Sequence, residues 1–253
     1  MLYFVEPGSI VRTIWGKSDT ILFIFAGSAA EFALNKAVDW LYFTGKLPSD
    51  PLGRLFSTVQ YARKIVFSER DEALKAIDTL KDIHRAVEEK RGTTIPDWAY
   101  RDVLFMLIHY SITSYELLEK PLSNVEKEDV YQVFFRLGDR MGLPELPTTY
   151  QEWLPVREAH LQDDLQVSSY TTDLFTQYKK HLGSFRYKIL IEGQKLVIPL
   201  RVKELLSFRH RNWLKPTMPL YKLTRQVGLD RLIKYFLLPN VYHDQIKALD
   251  IKR

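Results

Sequence analysis

Apolar residues recur every three or four positions along most of the chain, in runs bounded by helix-capping residues. This spacing predicts an all-α fold. Asp50 followed by Pro51 marks one helix start, because the carboxylate accepts orphan backbone N–H groups and proline at the first helical position gives none up. That helix is expected from Pro51 to about Phe67. Ser68-Glu69-Arg70-Asp71 reads as a capping box opening a helix to about Lys90, stopped by Gly92. Thr94-Ile95-Pro96-Asp97 opens a strongly apolar helix to about Glu119, with Trp98, Val103, Leu104, Phe105, Leu107 and Ile108. Its composition is that of a central, buried element. Ser123-Asn124-Val125-Glu126 is a second capping box, and its helix ends before Gly142 and Pro144. After a connector from Glu145 to Thr149, helices are expected over Tyr150 to Asp164, Thr171 to about Leu190, and Leu200 to Phe208. The stretch from Lys188 to Ile198 is β-branched enough to suit a hairpin; helix is the reading adopted.

The most apolar segment, Thr20 to Leu34, is interrupted by Gly27, Ser28 and Glu31. It falls short of the roughly 20 apolar residues that span a bilayer. With no secretory layout at the start, the chain is expected to be cytoplasmic, with no transmembrane segment and at most peripheral membrane contact. No long polar linker divides it, so residues 1–253 are expected to form a single multi-helix domain.

Composition narrows the chemistry. The hydrophobic fraction of 46% supports a sizeable core, and the complete lack of cysteine excludes disulfides, thiolate metal sites and cysteine nucleophiles. The formal charge of +5 arises from interspersed residues, so no nucleic-acid partner is expected. The richest basic stretch, Arg209 to Lys215, reads as a solvated face. There is no GxGxxG, P-loop or GxSxG motif. His160, His181, His210 and His243 form no histidine pair at i, i+4, so a helical zinc site is not indicated. Glu116, Glu119, Glu126 and Asp129 lack the EExxH partners of a di-iron bundle and are expected to face solvent.

Three places hold chemistry in unusual company. His84 shares an apolar stripe with Ala73, Ile77, Leu80 and Val87. An imidazole there is satisfied either by a metal on one nitrogen or, as in an ordinary core histidine, by a carbonyl or carboxylate. Arg54, Thr58 and Tyr61 share one helical face, which suits the polar edge of a pocket or a plain exposed surface. His109 lies in the apolar run Phe105 to Tyr110 and is expected to be buried, as a core histidine or as a group beside a ligand.

The order of these pieces resembles a known family. Ile14-Trp15-Gly16, Asp50-Pro51-Leu52-Gly53-Arg54-Leu55 with Thr58, and His84-Arg85-Ala86-Val87 are similar to the haem-b proteins of the MpaB oxygenase group. Latex clearing protein, a rubber-cleaving dioxygenase, belongs to the same superfamily. The likeness continues through Tyr100-Arg101-Asp102 to His109, through Leu122-Ser123 with Glu126, and through Gly142-Leu143-Pro144 and Leu146-Pro147. It is fainter at Leu238-Pro239. The resemblance implies a globin-like haem-binding core with His84 as proximal iron ligand, and Arg54 and Thr58 as distal catalytic residues. Phe56 and His109 complete the expected contacts with haem b, and Phe105 and Met106 are further candidate walls. The implied activity is oxidation of a small apolar substrate with O2 or a peroxide.

The sequence also departs from the family. Ala29-Ala30-Glu31-Phe32 stands where a His-Pro pair is common, Ser57 replaces the lysine of the rubber-cleaving branch, and Glu88 occupies the place of a glycine. These departures keep two other classes open: a non-catalytic haem or apolar-ligand carrier, and a cofactor-free helical interaction module.

Overall fold

The computed structural model describes residues 2–45, 49–226, 228, 229 and 249. Among them the chain is helical throughout, without a strand. The helices are α1 (Ile10–Trp15), α2 (Ser18–Phe32), α3 (Asp39–Phe43), α4 (Pro51–Phe67), α5 (Arg70–Arg91), α6 (Asp97–Leu118), α7 (Asn124–Met141), α8 (Tyr150–Asp163), α9 (Ser169–Val197), α10 (Leu200–Leu205) and α11 (Met218–Gln226). No helix among the described residues is long and apolar enough to cross a membrane. Leu238, Pro239 and His243 lie outside the described residues.

Local chemistry sets most boundaries. The Asp50 carboxylate accepts the Gly53 N–H at 2.8 Å ahead of Pro51, and the Ser123–Glu126 capping box is formed in full. Gly92 and Gly142 end α5 and α7 at φ 74° and 83°, a left-handed backbone that glycine adopts without strain. The expected box at Ser68 does not form. Glu69 takes the cap position of α5 without a side-chain bond, and the Leu2 carbonyl accepts the Arg70 N–H at 2.9 Å. A segment far away in sequence thus does the work of a local cap.

The β-branched stretch before Ile198 is helical, as the last part of α9, with Glu192, Gly193, Gln194, Lys195 and Val197 buried. Gly183, at φ 73° and ψ 164°, kinks α9 into two halves. Burial on both sides of the second half outweighs the weak strand preference of its residues.

The core is built on α6, buried along nearly its whole length, with α2 lying against it. Gly27 makes the close approach possible: a Cβ there would stand 2.3 Å from the Tyr110 ring. The Tyr110 hydroxyl donates to Glu31 Oε2 at 2.8 Å, and Arg157 from α8 grips the same carboxylate through two nitrogens at 2.7 and 2.5 Å. The Glu31 and Arg157 side chains are only 2% and 5% exposed, so Glu31 anchors three helices from within the core.

Of the carboxylates expected to face solvent, Glu126 is part-exposed in the local cap with Ser123, whereas the other three are brackets between elements. Glu119 pairs with Lys17 and Arg225, Glu116 with Lys127 and the Leu122 N–H, and Asp129 accepts the Ser9 hydroxyl at 2.7 Å. Helical periodicity places these acids on outward faces, and partners from other segments then cover them.

Two substitutions probe this centre by urea unfolding. Gly27→Ala should cost about 1–3 kcal/mol, because the rigid Tyr110 ring cannot yield to the added methyl group. Glu31→Ala should cost about 3–5 kcal/mol, since it leaves the Arg157 charge buried without its counter-ion.

Candidate functional site

α4 packs along α5, and this pairing brings Arg54 and His84 within electrostatic reach of each other. His84 is part-buried, with its Nδ1 enclosed and lacking any hydrogen-bond partner. Burial, seconded by the Arg54 charge and opposed by Glu88, holds its pKa below the usual 6.5. The ring is therefore neutral at physiological pH, the form that ligates metals. The Tyr100 ring meets His84 edge-on, with centroids 5.2 Å apart and planes at 71°. Glu88 holds this partner in place: its Oε1 accepts both the Tyr100 hydroxyl at 3.2 Å and the Ile95 N–H at 2.7 Å. Glu88 thus ties the end of α5 to the start of α6.

The stripe that carries His84 is buried only in its first half. Ala73 and Ile77 are covered, whereas Leu80, His84 and Val87 are part-exposed and Ile83 is 37% exposed. Arg54 has no carboxylate partner among the described residues. That cation, an orphaned imidazole nitrogen and a partly open apolar surface are three features that fit a flat, anionic, metal-bearing group.

The other expected site residues fall in different surroundings. Thr58 is exposed, and its hydroxyl donates to the Arg54 carbonyl at 3.1 Å; the Ser57 hydroxyl donates to that carbonyl at 2.7 Å. To donate to a ligand, Thr58 must release this bond. Phe56 is 3% exposed and packs in the core, about 200° around α4 from Thr58. Tyr61, on the Arg54 and Thr58 face, is part-buried, and Phe105 and Met106 are core residues.

His109 stands nine residues, or about 13 Å, further along α6 than Tyr100. Its neighbours are Arg157 and the Val197 carbonyl, not Arg54. Burial first, then the Arg157 charge, pushes its pKa down to about 3. The structure brings His84 and Arg54 together and places His109 elsewhere.

Sequence reasoning passed over one cluster. Asp102 on α6 is buried, accepts Asn35 Nδ2 at 2.6 Å and pairs with His160 Nδ1, while Asp164 Oδ2 lies 3.4 Å from that nitrogen. One ligand atom from each of Asp102, His160 and Asp164 lies within 4.8 Å of the others, close enough for a metal. Asp102 is already engaged by two donors, so the cluster serves as a clasp between α6, α8 and the turn after α2. Its visible signals were a carboxylate inside the apolar α6 run and a His-x-x-x-Asp spacing; a search for histidine pairs misses both.

The two neutral histidines give a measurable pH dependence. Folded, they bind fewer protons than unfolded below pH 6.5, so the unfolding free energy should fall as pH drops from 6.5 toward about 3. Urea melts across that range should show a shallower fall in His109→Leu, which cannot titrate at that position. An identical slope in the variant would contradict the assignment.

A family model described as the catalytic domain of ER-bound oxygenase mpaB/B' and rubber oxygenase matches residues 15–246. No curated protein and no solved structure matches the chain.

Proposed function

The chain belongs to this family of mpaB and rubber-oxygenase catalytic domains, and on that premise we propose that it is a haem-b oxygenase in which His84 is the proximal iron ligand. The observation that carries the reading is the neutral, part-buried imidazole of His84, with an unpartnered nitrogen, beside the Arg54 guanidinium, which has no carboxylate partner among the described residues. A buried orphan nitrogen is rare in a settled core and is satisfied by a metal bond.

Haem b, when bound, supplies activation of O2 or a peroxide, while the surrounding residues set orientation and selectivity. Tyr100, held by Glu88, fixes the plane of the His84 ring so that its lone pair keeps one direction. Arg54 offers a fixed positive charge, either to negative charge developing on oxygen or to a carboxylate of the cofactor. Thr58 gives a hydroxyl that rotates from the Arg54 carbonyl toward a bound group. Ser57 provides no amine, so the distal side differs from that of the rubber-cleaving branch. Leu80, Ile83 and Val87 present hydrocarbon beside His84, which suits an apolar substrate.

Reconstitution with hemin tests the assignment. Wild-type protein should give a Soret band that His84→Ala loses or shifts; an unchanged spectrum and retention in His84→Ala would remove His84 as ligand. Arg54→Ala should keep haem and lose about 10²-fold or more in oxygen consumption with a turned-over apolar substrate.

A further inference from the structure

A cavity of about 270 Å³ lies between α6, α8 and Pro199 at the start of α10. His109, Trp153 and Arg157 line it together with the apolar Ile112 and Leu161. Three of the polar side chains that line it each have one buried atom without a hydrogen-bond partner: His109 Nε2, Trp153 Nε1 and Arg157 Nε. Three residues with such atoms around one small cavity are out of keeping with the near-complete pairing of buried polar groups.

The chemistry of each atom is defined. The indole and guanidinium N–H groups only donate. Glu31 takes one N–H from each terminal nitrogen of Arg157, and Nε–H is the enclosed donor that has no partner. The His109 ring hydrogen-bonds the Val197 carbonyl. Because Nε2 has no partner, that bond runs from Nδ1–H, and Nε2 of the neutral ring carries a lone pair. These three side chains therefore offer one acceptor and two donors beside hydrocarbon and aromatic walls, with Glu116, Lys127 and Glu158 forming a charged part of the lining.

We propose that this cavity binds a small apolar alcohol, whose hydroxyl donates to His109 Nε2 and accepts from Trp153 Nε1–H or Arg157 Nε–H. One hydroxyl oxygen does both. Ethers and ketones accept without donating, and an ammonium donates without accepting and meets the Arg157 charge. A carboxylate cannot donate to the Nε2 lone pair, and Lys127, which lines the cavity with Glu116 and Glu158, is already paired with Glu116 at 3.0 Å. A primary amide offers both functions but loses more hydration on entry. The volume is near the lower end for small-molecule sites, about 300–1,000 Å³, so the ligand has the size of a single substituted ring. The site is independent of haem at His84, and its test uses haem-free protein, so either reading can fail without the other.

Calorimetric titration of the full chain with benzyl alcohol, benzyl methyl ether and toluene separates the possibilities. Benzyl alcohol should bind about ten-fold more tightly than the other two, the worth of one buried hydrogen bond. In His109→Leu the three should bind alike, and Leu154→Trp, which adds bulk at the 40%-exposed edge of the cavity, should weaken all three. In wild-type protein the ¹⁵N resonance of His109 Nε2 should move with benzyl alcohol and stay put with the ether, a readout that survives if His109→Leu fails to fold. Absence of saturable binding would mean that the cavity holds only water and would overturn the proposal. Equal affinity of the three probes in wild type, a preference unchanged in His109→Leu, or a still ¹⁵N resonance would overturn it too.

Discussion

The carboxylate of Glu31, buried and shared by Arg157 and Tyr110, is the constraint around which the helices are arranged. Desolvating an ion pair is costly, so the pair persists only where geometry supplies both nitrogens of the guanidinium and a further donor to the carboxylate. That requirement fixes the rotation of α6 about its axis, because Tyr110 must lie over Gly27 while its hydroxyl reaches Glu31. With that rotation set, the start of α6 presents Tyr100 to His84 and its middle presents His109 to Arg157 and Val197. The Asp102 clasp with Asn35 and His160 repeats the device one turn closer to the start of α6 than Phe105, so two polar anchors hold the same three segments.

Much of this was legible from spacing and caps, and the limits have a common cause. Asp50-Pro51, Ser123 with Glu126, Gly92 and Gly142 act within a few residues of themselves, and helix ends read from them agree with the structure to within a residue or two. What spacing could not show are partners from distant segments. Glu31 read as an interruption of an apolar helix and is its anchor. Ser68 read as a cap, yet the Leu2 carbonyl serves that end. Glu119 and Asp129 read as solvated and are bracketed by Lys17, Arg225 and Ser9. Periodicity reports which face a residue occupies; it carries no information on which charge from another helix arrives to meet it.

His84 and His109 illustrate how the same residue type takes on different chemistry. Both are neutral, chiefly through burial, and both carry an orphaned ring nitrogen. Beside His84 stand a guanidinium with no carboxylate partner among the described residues and a partly open apolar surface, which fit the large planar group proposed for it. Beside His109 are N–H donors and a small, partly open cavity, the surroundings of a compact one. The family match covers both, since residues 15–246 include α4, α5, α6 and the helices that wall the cavity.

The break at Gly183 divides α9 into two parts with separate duties. The first part packs Leu174 and Tyr178 against Ala33, and its Asp173 accepts the Tyr42 hydroxyl at 2.9 Å. The second part passes Phe23 at Gly193 and ends at Val197, whose carbonyl orients His109. Because a left-handed glycine decouples the direction of the two halves, residues added or lost before Gly183 alter the contact with α3 without shifting the register of Val197. The chain can in this way diverge in length and surface on one side of the kink while keeping the imidazole tautomer on the other.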